Sequence, residues 1–408
     1  MIKNIDEITK TAAKGMVFGT ERCRLILDRL QSPDLKLETV HISGTNGKGS
    51  VAEFMTGILV AAGKRTGTFT SPAVFGYNEQ FRIDGKPLDD KKLRSYIGQA
   101  AKAAEGTGAT SFEIETAAAL YAFYKEGCGF AVVECGLGGT YDATNAILQK
   151  KLALISTVAL EHTAILGKDI KSICEHKFGI VKDCEVVVSA LQTDEAKEFF
   201  ISKNAPFADG GIDILNSGID GTEFSYRGNK YRLSCVGDYA QPYNAALAIE
   251  GARRLKIAES AIYTGVNLAK PRGRIEIKRA HGKIFILDGA HNPDSFKPLC
   301  SFLKSGAADS DRVIIFGCLA DKDIDGNLAL LQGLAKLIIA VKCPGGRALP
   351  LESVHAACKK YFEDALKADS VEEALNMASG ITNTAVVCGS FTLLKEADEW
   401  IEKELQGQ

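Results

Sequence analysis

The chain has 408 residues, 46% hydrophobic and 25% charged, which is enough for two or more domains that each bury a core. A formal net charge of −2 excludes a chain-wide basic field that would recruit nucleic acid or an acidic membrane. Eleven scattered cysteines without a C-x-x-C pair argue against a zinc knuckle or a disulfide framework. No apolar run reaches membrane-spanning length, and Met1–Lys14 lacks an apolar signal core, so a reduced cytoplasmic setting is expected.

In chain order, Asn4–Ala13 and Thr20–Leu30 read as helices, the second with Leu25, Leu27 and Leu30 partly on one face. Leu37–Ser43 reads as a short strand and Val51–Ala62 as a helix. Between them lies Gly44-Thr-Asn-Gly-Lys-Gly-Ser50. Lys64–Thr70 reads as a strand, followed by an irregular stretch to Gly85. Asp89–Ala104 and Ser111–Lys125 follow as helices and Phe130–Glu134 as an apolar strand. Leu152–Val158 (strand), Ile170–Lys177 (helix) and Glu185–Ala190 (strand) continue the alternation, which predicts a parallel, doubly wound sheet.

Residues 201–236 change character. Thr222–Tyr226 and Lys230–Ser234 flank Arg227-Gly-Asn229 as a hairpin. Gln241–Leu255 reads as a helix. Lys270-Pro-Arg-Gly273 is the linker candidate, dividing the chain at 1–269 and 270–408. Beyond it, strands at Ile284–Leu287, Arg312–Phe316, Ala335–Val341 and Ala385–Cys388 alternate with helices, and Leu393–Leu405 closes the chain as a helix.

A glycine loop between a strand and a helix start suits a phosphate. Gly44, Gly47 and Gly49 allow tight turns with backbone N–H groups exposed to an anion, and the helix dipole points at the same place. Lys48 adds a charge, and Thr45 and Ser50 add hydroxyls. The spacing departs from G-x-x-x-x-G-K-[ST], which would need glycine at Ile42 and a hydroxyl at Gly49. Glu134 ends a strand where ligands of open α/β sheets bind, ahead of Gly136-Leu-Gly-Gly139, and a carboxylate there suits Mg²⁺ beside a triphosphate. His162 ends a further strand. In the second half Asp288, His291 and Asn292 bunch at another strand end, Asp321-Lys-Asp323 at the next, and Arg274 lies just past the linker.

Taken together and in order, these stretches resemble the folylpolyglutamate synthase/dihydrofolate synthase family of the Mur ligase superfamily. The resemblance rests on Gly44–Ser50, Thr70-Ser-Pro72 with Asn78-Glu79, Glu134–Gly139, Asp142-Ala-Thr-Asn145, Glu161-His-Thr163, His176–Ile180, Gln241–Asn244, Arg274, Asp288–Pro293 and Asp321–Asp323. It implies a P-loop-type doubly wound sheet in an N-terminal ATP-binding domain, plus a smaller Rossmann-like C-terminal α/β domain. It implies ATP held by Gly44, Thr45, Asn46, Gly47, Lys48, Gly49 and Ser50, with Asn244 and Arg274 contacting the nucleotide. Asp288 and His291 would lie near the ligand and the incoming amino acid. Two Mg²⁺ ions would be served by Ser71, Glu134 and His162, and Lys177 would be carbamylated. The implied reaction joins L-glutamate to a folate or to dihydropteroate through an acyl phosphate, in a monomer with no nucleic-acid or membrane partner. The family's usual His after Thr70-Ser-Pro72 is Ala73 here and its Arg after Asn78-Glu79 is Gln80, in a loop placed beside the pterin region. Its His-Gln is Ala240-Gln241, and its Pro-Gly-Arg is Arg272-Gly-Arg274. A different carboxylate acceptor stays open on this reading.

Overall fold

A computed structural model describes residues 18–236, 240–305 and 311–406. The expected helix at Asn4–Ala13 lies outside them. The chain forms two compact units. The first holds the chain up to Ile212 with Tyr226–Tyr231 and Tyr243–Ala269; the second holds Asp213–Ser225, Arg232–Pro242 and everything from Lys270 on.

The strands of the first unit are β1 (Glu38–Ser43), β2 (Thr66–Phe69), β3 (Phe81–Ile83), β4 (Lys86–Pro87), β5 (Phe130–Glu134), β6 (Leu152–Ile155), β7 (Glu185–Ser189) and β8 (Phe207–Ala208). They make one sheet in the order β4-β3-β2-β5-β1-β6-β7-β8. From β2 to β8 all neighbours are parallel, and β3 and β4 add an antiparallel edge. The central strands are buried throughout, which is why they read as unbroken apolar runs such as Phe-Ala-Val-Val.

Helices Glu21–Arg29, Asp90–Ala103 and Ser111–Lys125 share a core with Phe69, Phe81 and Phe123. Thr110 and Glu113 form a reciprocal cap that starts Ser111–Lys125 where the sequence places it. In Glu21–Arg29 the buried positions are Cys23, Ile26 and Leu27, while Leu25 is 42% exposed, so the inward face is turned from the one expected. Helix Lys48–Ala61 begins three residues earlier than expected, because Lys48 of the glycine loop is already helical and Gly47 caps it. It meets helix Glu259–Leu268 backbone to backbone: a Cβ on Gly265 would fall 2.3 Å from Ile58 Cα. Helices Ile170–Phe178 and Asp194–Ser202 cover Ala153, Ile155 and Val188 in a further core.

A three-stranded sheet follows, β9 (Ile212–Gly218), β10 (Gly221–Tyr226) and β11 (Asn229–Leu233), ordered β11-β10-β9. In the second unit β12 (Glu276–Ala280), β13 (Lys283–Leu287), β14 (Arg312–Phe316), β15 (Leu337–Ala340), β16 (Ala365–Lys367) and β17 (Thr384–Cys388) pair in the order β12-β13-β17-β14-β15-β16. Only β12 with β13 is antiparallel. Both large sheets thus present loops at the carboxyl ends of parallel strands. No helix among the described residues is long and apolar enough to cross a membrane.

Candidate functional site

The glycine loop leaves β1 and turns on two left-handed residues, Gly44 at φ +143° and Gly47 at φ +92°. Neither tolerates a side chain: a Cβ on Gly44 would fall 1.9 Å from Ser156 Oγ, and one on Gly47 2.3 Å from Asn244 Oδ1. The expected nucleotide residue Asn244 is therefore packed against the loop, 4% exposed. Thr157 O accepts from Thr45 N at 2.8 Å and Asn46 N at 3.2 Å. Thr45 Oγ1 donates to Ala159 O and accepts from Ala159 N, each at 3.0 Å. Lys48 Nζ donates to Gly44 O and Thr45 O at 3.1 Å, so its ammonium sits over the loop it follows.

Glu134, at the end of β5, is 6% exposed and accepts from Ser71 N at 3.3 Å through Oε2. A Cβ on Gly49 would be 3.6 Å from that same oxygen, so the carboxylate also faces the loop. These are hard oxygen donors beside a phosphate-type loop, and they fit Mg²⁺. Among the described residues no three His, Cys, Asp or Glu side chains gather into a ready cage.

Lys177 is 4% exposed near the end of its helix. Burial, helped by the positive charge of Lys48 and opposed by Glu161, pushes its amine down from 10.5 to about 7. Glu161 Oε1 is 3.9 Å from His162 Nε2. His162 stands at φ +52°, caps Thr163–Leu166, and its side chain is 38% exposed. Lys48, Lys177, Glu161 and His162 thus form one electrostatic chain.

The Asp142–Asn145 segment, part of the family resemblance, ties Gly136–Gly139 to the turn after the Lys177 helix. Asp142 Oδ2 accepts from Leu137 N at 2.7 Å, inside Gly136–Gly139. Asn145 Nδ2 donates to Thr140 O at 2.9 Å and to Gly179 O at 3.2 Å. Lys150 Nζ donates to Asn145 Oδ1 at 2.5 Å and Ile180 O at 2.9 Å, and burial brings that amine down to about 8. A Cβ on Gly139 would fall 2.5 Å from His176 O, so the loop lies directly on the helix that carries Lys177.

A cavity of about 410 Å³ opens beside this loop, walled by Phe18, Glu21, Leu137, Tyr141, Leu166 and His176 among others. The Tyr141 and His176 rings lie 5.8 Å apart. Its apolar and aromatic walls suit a flat, aromatic body. Ala73 and Gln80 are not among its lining residues. Gln80 is buried, with Nε2 3.5 Å from Tyr77 O within its own loop.

In the second unit Asp288 follows β13, 5% exposed. Its carboxylate accepts from Ile275 N and Ala290 N, each at 2.8 Å, while burial pushes its pKa up. Ile275 stands at φ +47°, a strained conformation for a β-branched residue, held by that bond. Arg274 lies over the Phe391 ring at 4.5 Å, and the His291 ring is 6.0 Å from it. His291 Nδ1 is 2.8 Å from Gly289 O, which makes Nδ1 the protonated nitrogen. Phe391, which binds this group together, was invisible from its distant position in the sequence. Asn292 caps helix Pro293–Lys304, and Asp323 caps Ile324–Leu331, so Asp323 serves local structure.

Comparison with known proteins adds the following. The chain matches the Mur ligase middle domain over residues 42–249 and the Mur ligase, glutamate ligase domain over residues 273–391. It is 31% identical to the folylpolyglutamate synthase of Lacticaseibacillus casei, over 87% of each chain. E. coli FolC in complex with DHPP and ADP superimposes with a TM-score of 0.86 at 27% identity, covering 98% of this chain and 97% of that one. The bifunctional folylpolyglutamate synthase/dihydrofolate synthase of Yersinia pestis with Mn, AMPPNP and L-glutamate bound gives a TM-score of 0.81 at 26% identity, over 95% of each.

Proposed function

The chain belongs to the Mur ligase family, in its folylpolyglutamate synthase/dihydrofolate synthase branch, and from that premise we propose how its own residues carry the reaction. It is an ATP-dependent ligase that attaches L-glutamate to a folate or to dihydropteroate. The acceptor carboxylate attacks the γ-phosphorus of ATP, the bond to the bridging oxygen breaks, and ADP leaves. The amine of glutamate then attacks the acyl carbon, phosphate departs, and the nitrogen loses its proton.

The loop amides and Lys48 take the phosphates. Lys48 Nζ now rests on two carbonyls, weak partners that phosphate oxygens would replace with stronger, charge-assisted bonds. Stabilisation of charge on the transferring phosphoryl group is most of what such a site must supply. Ser71, Glu134 and His162, joined by carbamylated Lys177, are the groups to hold two Mg²⁺ ions, which neutralise charge on the phosphate oxygens when bound. The carbamate forms when the neutral Lys177 amine adds to CO₂ and loses a proton, giving an anionic oxygen ligand. Asn244 and Arg274 are assigned to the nucleotide, and Asp288 and His291 to the amino-acid step. The aromatic-walled cavity beside Gly136–Gly139 is assigned to the ring system of the acceptor, with Tyr141 and His176 against its faces.

The observation that carries this reading is the pair of lysines: one over the phosphate loop, the other brought down to about 7 by burial and, to a lesser degree, by the charge of the first. The test is ADP release with Mg-ATP and glutamate, comparing dihydropteroate, tetrahydrofolate and no acceptor. Turnover with either pterin supports the reading and says which acceptor is used. Silence with both, in protein shown to bind ATP, rejects the pterin acceptors.

A further inference from the structure

Beneath the glycine loop runs a buried polar chain that the mechanism above does not use. His41 lies in β1 with 0% exposure, and its Nε2 is 2.8 Å from Thr144 Oγ1. Thr144 Oγ1 donates to Asp142 Oδ1, which also accepts from Thr144 N at 3.0 Å. Asp142 Oδ2 accepts from Leu137 N.

Counting protons gives the chain a direction. Burial pushes the Asp142 pKa up, but both its oxygens accept backbone N–H groups and a third donor is Thr144 Oγ1, so the geometry presents Asp142 to this chain as an acceptor. A threonine hydroxyl has one proton, and here it goes to Asp142. The proton between His41 and Thr144 therefore belongs to the imidazole, on Nε2. Burial with the charges of Lys150 and Lys182 keeps His41 neutral, so Nδ1 is the bare nitrogen, and it has no hydrogen-bond partner. Cys135 Sγ, 3.1 Å from Nε2, is a second, weak acceptor for the same proton. An aliphatic residue would fill this part of β1 without leaving a polar atom unsatisfied, so the imidazole has to be explained by what its Nε2 meets, Thr144 above all.

We propose that His41 is a positioning residue for acceptor binding: its Nε2–H, acting through Thr144 and Asp142 on the Leu137 amide, holds Gly136–Gly139 in the shape that walls the cavity. This rests on the assignment of that cavity to the acceptor. The phosphate loop has its own bonds to Thr157 and Ala159, outside this chain. Loss of the relay should therefore separate acceptor binding from ATP binding.

The experiment uses the full chain with Thr144→Val, which keeps the shape but has no proton to pass, together with His41→Leu and His41→Gln. KM for the acceptor and for ATP is read from ADP release, and amide exchange is followed by mass spectrometry over residues 136–142. Thr144→Val and His41→Leu should raise the acceptor KM about tenfold, leave the ATP KM within about twofold, and speed exchange at Leu137. His41→Gln, which keeps an N–H at that end, should restore most of both. Unchanged exchange in both broken variants overturns the proposal. So does a joint rise of both KM values that His41→Gln fails to rescue. Faster exchange, rescued by His41→Gln, with an unmoved acceptor KM keeps the relay and overturns the assignment of the cavity.

Discussion

The two units use one architectural rule, but among the described residues only the first adds buried amines to it. In each, the chemistry-bearing loops follow parallel strands, at the end of the sheet where open α/β folds collect ligands. In the first unit two buried amines, Lys177 and Lys150, are pushed down by burial, and they stand beside the buried carboxylates Glu134 and Asp142. In the second the buried group is a carboxylate, Asp288, pushed up by the same cause. The first loop is shaped by glycines that leave its amides and Lys48 to meet an anion. The second is shaped by Asp288 itself, which spends both oxygens on Ile275 N and Ala290 N. Similar strand-end placement therefore does not imply similar work: one loop is arranged to receive charge, the other to hold Arg274 and His291 in place.

The largest test of that contrast is Lys48→Met, expected to lower the rate of ADP release by about 10³-fold with little change in melting temperature. If Asp288→Asn gave the same pattern, the contrast would be broken. Next comes the pH dependence of stability. Between about 7 and the unfolded lysine value of ~10.4 the unfolded chain carries a proton at Lys177 that the native chain lacks. Stability must then rise with pH across that window, by at most about 5 kcal/mol. Denaturant unfolding in CO₂-free buffer should show the slope in the parent, and Lys177→Met should flatten it between about 7 and 8, leaving above that only the share of Lys150. The same proton governs chemistry: a carbamate signal in ¹³C NMR of ¹³CO₂-treated protein should fade as pH drops below about 7. Asp288→Asn should cost about 1–3 kcal/mol, because an amide can satisfy only one of the two N–H groups as an acceptor. Smallest is Lys297→Ala, which removes an exposed partner of Asp294 and should change stability by less than about 0.5 kcal/mol.

The sequence was most readable where one segment did one job. Phe130–Glu134, Ser111–Lys125 and Arg312–Phe316 occupy the expected bounds, because full burial or a cap marks both ends. Strand Ile212–Gly218 escaped notice since it is mostly exposed and polar, and β12 since it alternates weakly at a sheet edge. Helices Asp194–Ser202 and Glu259–Leu268 were likewise missed. At the site, the phosphate loop and Glu134 could be read from spacing, but the cavity could not. Its walls bring Phe18, Leu137 and His176 together from three distant stretches, a relation that no local pattern encodes.

Gly265 lying against the Ile58 backbone bears on how the protein is made. The phosphate loop is complete as sequence by residue 50, yet the helix it opens is buried against a segment ending at Leu268, and Asn244 closes on Gly47. A growing chain emerging at ~5–20 residues per second waits on the order of ten seconds or more between the two. Through that interval the helix can rest on β1, β2 and β5 but lacks the cover of Glu259–Leu268 and the Asn244 contact, so the nucleotide site is among the first parts synthesised and among the last to be completed.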